Sequence, residues 1–377
     1  MSDSGSVLVT GGAGFIGSHL VDALVEKGYK VRVFDSLEPQ VHGSQRQVPN
    51  YLNGDAELVV GDCRDRNALQ DALDGMEVVF HYAAAVGVGQ SMYEIRRYVE
   101  ANTLGGANLL DILAGREHEV RKLIVASSMS IYGEGKYECG DCGVAYPLLR
   151  PDDQLRQRKW EMRCPGCGRN MRPLATDEDK PLHPTSIYAV TKRDHEEMFL
   201  CFGRAYQIPT VALRFFNVYG PHQALSNPYT GVAAIFSARL LNGQAPVIYE
   251  DGLQTRDFIH VRDVVRASIL AMEREEANYD VFNVGTGRAL SILEMARVLT
   301  ATLADGEMEP EVLGRYRRGD IRHCFADIGK LAEKLGFAPQ VDFEHGISDL
   351  VSWVKEQSVV DRFDVVAGEL ADKSLVL

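Results

Sequence analysis

A short apolar strand that runs into glycines three residues apart, and out of them into a helix, leaves few folds open. Val7-Leu8-Val9-Thr10 has the strand pattern, Gly11-Gly12-Ala13-Gly14-Phe15-Ile16-Gly17 the turn, and Ser18-His19-Leu20-Val21-Asp22-Ala23-Leu24 the helical pattern. In such a unit Gly11 permits the tight turn, and Gly14 lets backbone N–H groups at the start of the helix, with Phe15 and Ile16, approach a pyrophosphate. Gly17 lets the helix pack closely on the strand. Asp35 follows a second strand pattern, Tyr29-Lys30-Val31-Arg32-Val33-Phe34, eighteen residues beyond Gly17. A carboxylate there accepts hydrogen bonds from a ribose 2′-OH and repels a 2′-phosphate, which points to NAD rather than NADP.

Strand-like runs alternate with amphipathic stretches through the first half: Glu57-Leu58-Val59-Val60, Val78-Val79-Phe80-His81, Lys122-Leu123-Ile124-Val125-Ala126 and Thr210-Val211-Ala212-Leu213-Arg214. This rhythm predicts right-handed crossovers and an α/β fold, a Rossmann-type doubly wound parallel sheet. The expected division is an NAD-binding domain over 1–220, interrupted by an insertion over 137–172, and a smaller substrate lobe over 221–377, some of whose segments return to the first domain. The 377 residues suffice for such a core. A net charge of −13 with scattered Lys and Arg argues against a nucleic-acid partner. No secretory leader pattern and no run of eighteen apolar residues is present, so no membrane association and a cytoplasmic location are expected.

Ser127-Ser128-Met129-Ser130-Ile131-Tyr132-Gly133 follows an apolar strand, which puts its hydroxyls at the carboxyl end of the sheet, where doubly wound folds bind ligands. Tyr188-Ala189-Val190-Thr191-Lys192 sets a tyrosine and a lysine four apart, on one face of a helix. Alone that spacing fits any surface helix; beside the glycine turn and the serine-rich strand end it makes a Ser128/Tyr188/Lys192 catalytic set. A free tyrosine, with a pKa near ~10, is a poor base at neutral pH. The Lys192 ammonium and a cationic nicotinamide are expected to lower that value, so that Tyr188 can take a proton from a hydroxyl while Ser128 holds the same oxygen. Lys192 and Tyr188 also belong to the cofactor-binding set, Lys192 on the nicotinamide ribose.

Cys139-x2-Cys142 and Cys164-x2-Cys167 are separated by the 21 residues from Gly143 to Arg163, close to zinc-ribbon spacing. Four thiolates would staple a segment without a core of its own around one structural Zn²⁺, with no open position for catalysis. A vestigial loop or a labile disulfide pair is the alternative. The insertion is expected to cap the substrate cleft or a subunit interface. Cys63, Cys201 and Cys324 read as ordinary buried or half-buried thiols.

Together these stretches resemble the extended short-chain dehydrogenase/reductases of the nucleotide-sugar epimerase and dehydratase family. Further matches are Gly61-Asp62-Cys63-Arg64-Asp65, His81-Tyr82-Ala83-Ala84-Ala85, Arg214-Phe215-Phe216-Asn217-Val218-Tyr219-Gly220-Pro221, Arg256-Asp257-Phe258-Ile259-His260-Val261 and Arg317-Arg318-Gly319-Asp320. The resemblance implies that Asp62 contacts the adenine amine, that Cys63 lies beside the ring, and that Ala83 and Ala84 line the cofactor pyrophosphate and ribose. It implies a nucleotide-diphosphate sugar as substrate, its diphosphate gripped by Asn217, Arg256 and Arg317 and its ribose held by Asp320, with Ser128 on the sugar. It also implies a homodimer, built by helices flanking the Tyr-Lys motif.

Within that family, dehydratases follow the catalytic hydroxyl residue with an Asp-Glu pair, and decarboxylating members keep the glutamate. Here Met129 and Ser130 stand there, and neither can serve as the acid and base of an elimination. The shortest cycle remains: oxidation at C4 of the sugar, rotation of the 4-keto sugar and return of hydride, a 4-epimerase. The alternatives are a nucleotide-sugar oxidoreductase with the same triad, a 4,6-dehydratase, and a non-enzymatic NAD sensor. The Cys-pair insertion resembles a subgroup of 4-epimerases acting on dTDP-L-rhamnose. Cys324 falls where the resemblance places a gate residue beside the sugar, and Val86 where many galactose-type epimerases carry a lysine.

Overall fold

The computed structural model describes residues 5–304, 306 and 308–377. Its centre is a seven-stranded sheet of β1 (Ser6–Thr10), β2 (Lys30–Asp35), β3 (Glu57–Val60), β4 (Val78–His81), β5 (Lys122–Ser128), β6 (Thr210–Phe215) and β7 (Asp280–Val284), in the order β3-β2-β1-β4-β5-β6-β7. Every neighbouring pair is parallel. The chain order reverses between β1 and β4, which opens a crevice at the carboxyl ends of these strands.

The helices used below are α1 (Phe15–Glu26), α2 (Arg66–Leu73), α3 (Gly105–Gly115), α4 (Ile187–Tyr206), α5 (Val232–Leu241), α6 (Val261–Glu273), α7 (Ile292–Leu303), α8 (Phe343–Val354) and α9 (Phe363–Asp372). Alternation along β1 sends Val7 and Val9 to one face of the sheet, under Leu20, Val21 and Leu24 of α1 and Val264 and Ala267 of α6. Leu8 goes to the other face, under Leu69 of α2, Leu109 and Leu113 of α3 and Phe199 of α4. Burial on both faces explains the continuous apolar runs of β1, β4 and β5, whereas β2 and the edge strand β3 carry the charged Lys30, Arg32 and Glu57.

A second core joins Phe236 and Leu240 of α5, Met295 and Leu299 of α7, and Leu350 and Val354 of α8. Truncating Leu299, which is fully buried, to Ala should cost about 2–5 kcal/mol. Helix α7 starts at a capping box: Ser291 Oγ accepts from the Glu294 N–H, and the Glu294 carboxylate accepts from the Ser291 N–H. Between these pieces α6 and β7 return to the first core, so residues after 221 contribute to both cores.

The insertion has more regular structure than its sequence pattern suggests. Lys136–Cys139 is the middle of a three-stranded antiparallel sheet with Gly143–Ala145 and Arg172–Leu174. Tyr137, Cys139, Met162, Cys164 and Met171 form its small core. Among the described residues no helix is long and apolar enough to cross a membrane.

Candidate active site

A cavity of about 680 Å³ runs from the glycine turn past the end of β5 to the segment Arg317–Ile321. At one end the turn is shaped by absent side chains. Gly11 has φ +72°, and a Cβ there would stand 2.8 Å from the Ala83 backbone; one on Gly17 would stand 2.2 Å from the Gly11 carbonyl oxygen. A Cβ on Gly14 would meet only that same oxygen, at 3.3 Å, so its absence leaves the cavity wall open. No side chain caps the first turn of α1, and Gly14, Phe15, Ile16 and Gly17 all line the cavity. Free amides at a helix N-terminus suit a pyrophosphate, and the residues present fit a dinucleotide. Asp35 is fixed at the end of β2 by the N–H groups of Ala13 and Leu37, at 3.0 and 2.9 Å. Asp62, Cys63, Ala83 and Ala84 line the same stretch. The Asp62 carboxylate is bound by Arg64, with Nη2 at 2.6 Å, and Arg64 hydrogen bonds offset burial to hold its pKa low.

Ser128 ends β5 and caps the short 3₁₀ turn that follows, its Oγ accepting from the Ser130 N–H. Tyr188 and Lys192 sit in the first two turns of α4, started by the Ser186 cap. All three line the cavity, and Ser128 is the side chain that acts to lower the Tyr188 pKa. Burial nonetheless pushes the Tyr188 phenol up to about 12. The Lys192 ammonium donates to the Ala126 carbonyl at 2.8 Å, and burial pulls it down to about 8. Desolvation therefore dominates at Tyr188 in the protein alone, whereas the lowering expected from the sequence is that of a site with a cationic nicotinamide beside Lys192.

Asn217, Arg256, Arg317 and Asp320 line the other end. Asn217 Oδ1 is buried without a partner, an acceptor aimed at whatever fills the cavity. Arg256 spends donors on the Thr255, Ile321 and Arg322 carbonyls. Arg317 lies over the Tyr249 ring at 4.9 Å and donates to Asp320 at 2.7 Å. Met129, Ser130 and Val86 also line the cavity. Cys324 does not: it is buried behind Met129 and Phe216, its Sγ on Thr176 Oγ1 at 3.8 Å, so it is no gate residue on the wall. Nor does any residue of 137–172 line the cavity, so the insertion is not a direct cap.

Sequence reasoning missed three contributors. Phe363, Val366 and Leu370 of α9, with Leu375, line the cavity, and the Glu369 carboxylate accepts from the hydroxyls of Tyr93 and Tyr229, which joins α9 to loops of both cores. Asn102, in a π-helical turn before α3, clasps the Ala85 backbone on both sides and donates to Thr191 on α4. Behind Ser128 a buried ion pair, Arg214 with Glu196, accepts the Ser127 hydroxyl at 2.7 Å. The strand runs have a period signal; a single Asn in a π turn has none.

The ligand atoms of Cys139, Cys142, Cys164 and Cys167 all lie within 4.8 Å of one another. Backbone N–H groups of Cys167 and Gly166 pull the Cys164 thiol down to about 7, toward the thiolate a metal needs. This donor set fits a soft or borderline cation in tetrahedral coordination. Cys63 and Cys324 are buried as expected, whereas Cys201 is exposed, on the outer side of α4.

The sequence profile of the NAD dependent epimerase/dehydratase family matches residues 7–147 and 167–285. The stretch it skips falls inside the insertion. A dTDP-L-rhamnose 4-epimerase of Burkholderia thailandensis is 37% identical over 357 residues, 94% of this chain and 96% of that protein. Among solved structures, UDP-glucose 4-epimerase of Thermotoga maritima with UDP-glucose superimposes with a TM-score of 0.75 at 33% identity, covering 93% of this chain and 99% of that one. UDP-glucose 4-epimerase of Thermus thermophilus in complex with NAD gives 0.72 at 30%, covering 94% and 100%.

Proposed function

This chain belongs to the NAD dependent epimerase/dehydratase family, and from that premise we propose that it is a nucleotide-sugar 4-epimerase, an isomerase. The observation that carries the reading is one cavity with Ser128, Tyr188 and Lys192 between the glycine turn and the end lined by Asn217, Arg256 and Arg317, and with Met129 and Ser130 where an elimination would need a carboxylic pair. Its relatives named as 4-epimerases support it.

NAD would be held by Gly11, Gly14, Phe15, Ile16, Gly17, Asp35, Asp62, Cys63, Ala83 and Ala84, and supplies a reversible hydride acceptor next to the sugar. Tyr188 takes the proton of the C4 hydroxyl and later returns it. Ser128 holds that oxygen through both events, and Lys192 supplies positive charge on the same helix face. Arg256, Arg317 and Asn217 keep the diphosphate in place while the hexose turns, since planar guanidinium forks give paired bonds to phosphate oxygens. Asp320 holds the nucleoside ribose. Residues 1–220, apart from the insertion, act as the cofactor domain, and 221–377 mainly as the nucleotide-sugar lobe.

The sugar nucleotide is dTDP-L-rhamnose, a reading supported by the Cys-pair insertion and by the Burkholderia relative. The four cysteines hold one structural Zn²⁺, a reading supported by their mutual closeness. The protein acts as a homodimer, a reading supported by Ile95 and Val99, apolar and exposed four residues apart on continuous helical turns, and by Val190 of α4, which is exposed as well. The test is incubation of the purified protein with dTDP-L-rhamnose, UDP-glucose, UDP-GlcNAc and UDP-glucuronate without added NAD. A C4 epimer of one of them is expected. A 4-keto-6-deoxy product, or turnover only with stoichiometric NAD, would replace the reading by a dehydratase or an oxidoreductase.

A further inference from the structure

The insertion reaches the substrate end of the cavity without lining it. Arg150, 5% exposed, is the link. Its guanidinium donates to both carboxylate oxygens of Glu250, at 2.8 and 2.9 Å, to the Trp160 carbonyl at 2.9 Å, and to the Asp320 carbonyl at 3.2 Å. Glu250 also accepts from the fully buried Arg322 at 2.9 Å, and Arg322 continues to Glu161 and Asp251. Glu161 leads directly into Met162 and Cys164 of the insertion's core. The network thus begins at the cysteine knuckle and ends on the loop that carries Arg317 and Asp320.

Arg150 acts on that loop twice. It fixes the Asp320 backbone directly. Through Glu250 it also fixes the neighbour of Tyr249, the ring that Arg317 lies against. Glu250 is held with φ +57°, and its N–H and C=O bond the backbone of Arg315 and Gly314. A non-glycine residue in that conformation needs its surroundings to keep it there, and the bidentate bond from Arg150, beside that from Arg322, holds its carboxylate. An exposed pair, Arg318 with Asp152 at 3.1 Å, adds little.

We propose that Arg150 is a positioning residue for the nucleoside-diphosphate half of the site, and that the insertion serves to set the Arg317–Asp320 loop through it. The proposal rests on the nucleotide-sugar reading above. Arg150→Lys keeps the buried charge pair but loses the fork that reaches Glu250, Trp160 and Asp320 together; Glu250→Gln weakens the same fork from its other side. Titration calorimetry of the full-length protein with dTDP and with UDP reads the effect without turnover. The expected result is binding of the preferred diphosphate about tenfold weaker in each variant, the weight of one charge-assisted hydrogen bond. The double variant should be no weaker than about the worse single one, because both break one device. KM for the nucleotide sugar should rise in parallel for Arg150→Lys, with kcat within about twofold and bound-cofactor content unchanged. Parental affinity in both variants, additive losses in the double variant, or loss of cooperative unfolding in both single variants would overturn the proposal. A parent protein that binds neither dTDP nor UDP would overturn the nucleotide-sugar reading itself.

Discussion

Replacing Lys192 by methionine removes the one cation on the Tyr188 face of α4 while keeping the length and packing of the side chain. Positions i and i+4 of a helix stand roughly 6 Å apart, and a unit charge at that distance in an effective dielectric near 20 is worth about 3 kcal/mol. With the lysine present, burial still leaves the Tyr188 phenol at about 12. Removing a charge of that worth should make the phenol give up its proton less readily and cut kcat by about 100-fold near neutral pH. The stability change should be small, because two effects oppose. Holding the ammonium charged, with a pKa of about 8 instead of 10.5, costs the fold about 3 kcal/mol. That cost is complete below pH 8 and vanishes above 10.5, so the parental protein gains stability across this window as pH rises. The hydrogen bond to the Ala126 carbonyl returns about 1.5–3 kcal/mol. The assay is kcat against pH for parent and variant beside their melting temperatures. The parent should lose activity above about pH 8 as Lys192 loses its proton, and the variant should lack that limb. Full activity in Lys192→Met at pH 7.5, or a parental kcat still rising at pH 10, would refute the charge argument.

Tyr188→Phe should lower kcat by about 10²–10⁴-fold and change the melting temperature little, since the ring is kept and Tyr188 lines the cavity; steady-state kinetics and a thermal melt check both. Arg214→Met would strand Glu196, whose pair with it is 5% and 4% exposed, at about 3–5 kcal/mol, to be read as a fall in the denaturant midpoint. Metal analysis of the purified protein should find one zinc per chain. Exchange of Cys139, Cys142, Cys164 and Cys167 for Ser should release it and lower the melting temperature, whereas metal-free, equally stable parental protein would remove the zinc.

The parts legible in the sequence are those that chemistry or backbone geometry forces on particular residues. Gly11 and Gly17 could be nothing else, given φ +72° at one and a 2.2 Å approach at the other. Ser128, Tyr188 and Lys192 could be joined because a strand end and a helix face have fixed periods. What stayed hidden depends on tertiary packing. Strand β7 lies in a stretch of broken pattern and is recognisable only by its pairing with β6. Helix α9 carries an ordinary amphipathic pattern, and nothing in Val366 or Leu370 announces that their buried side faces the cavity. Cys324 was placed on the wall by analogy of position, but Met129 and Phe216 stand in front of it. Arg150 looked like one of several basic residues in a loop, and its partner is 100 residues away.

The most direct test of 4-epimerisation through a retained hydride is turnover, in ordinary water without added cofactor, of the preferred nucleotide sugar carrying deuterium at C4. The account predicts that both epimers at equilibrium keep the deuterium on C4. Loss of the label to solvent, or an epimerised carbon other than C4, would contradict it.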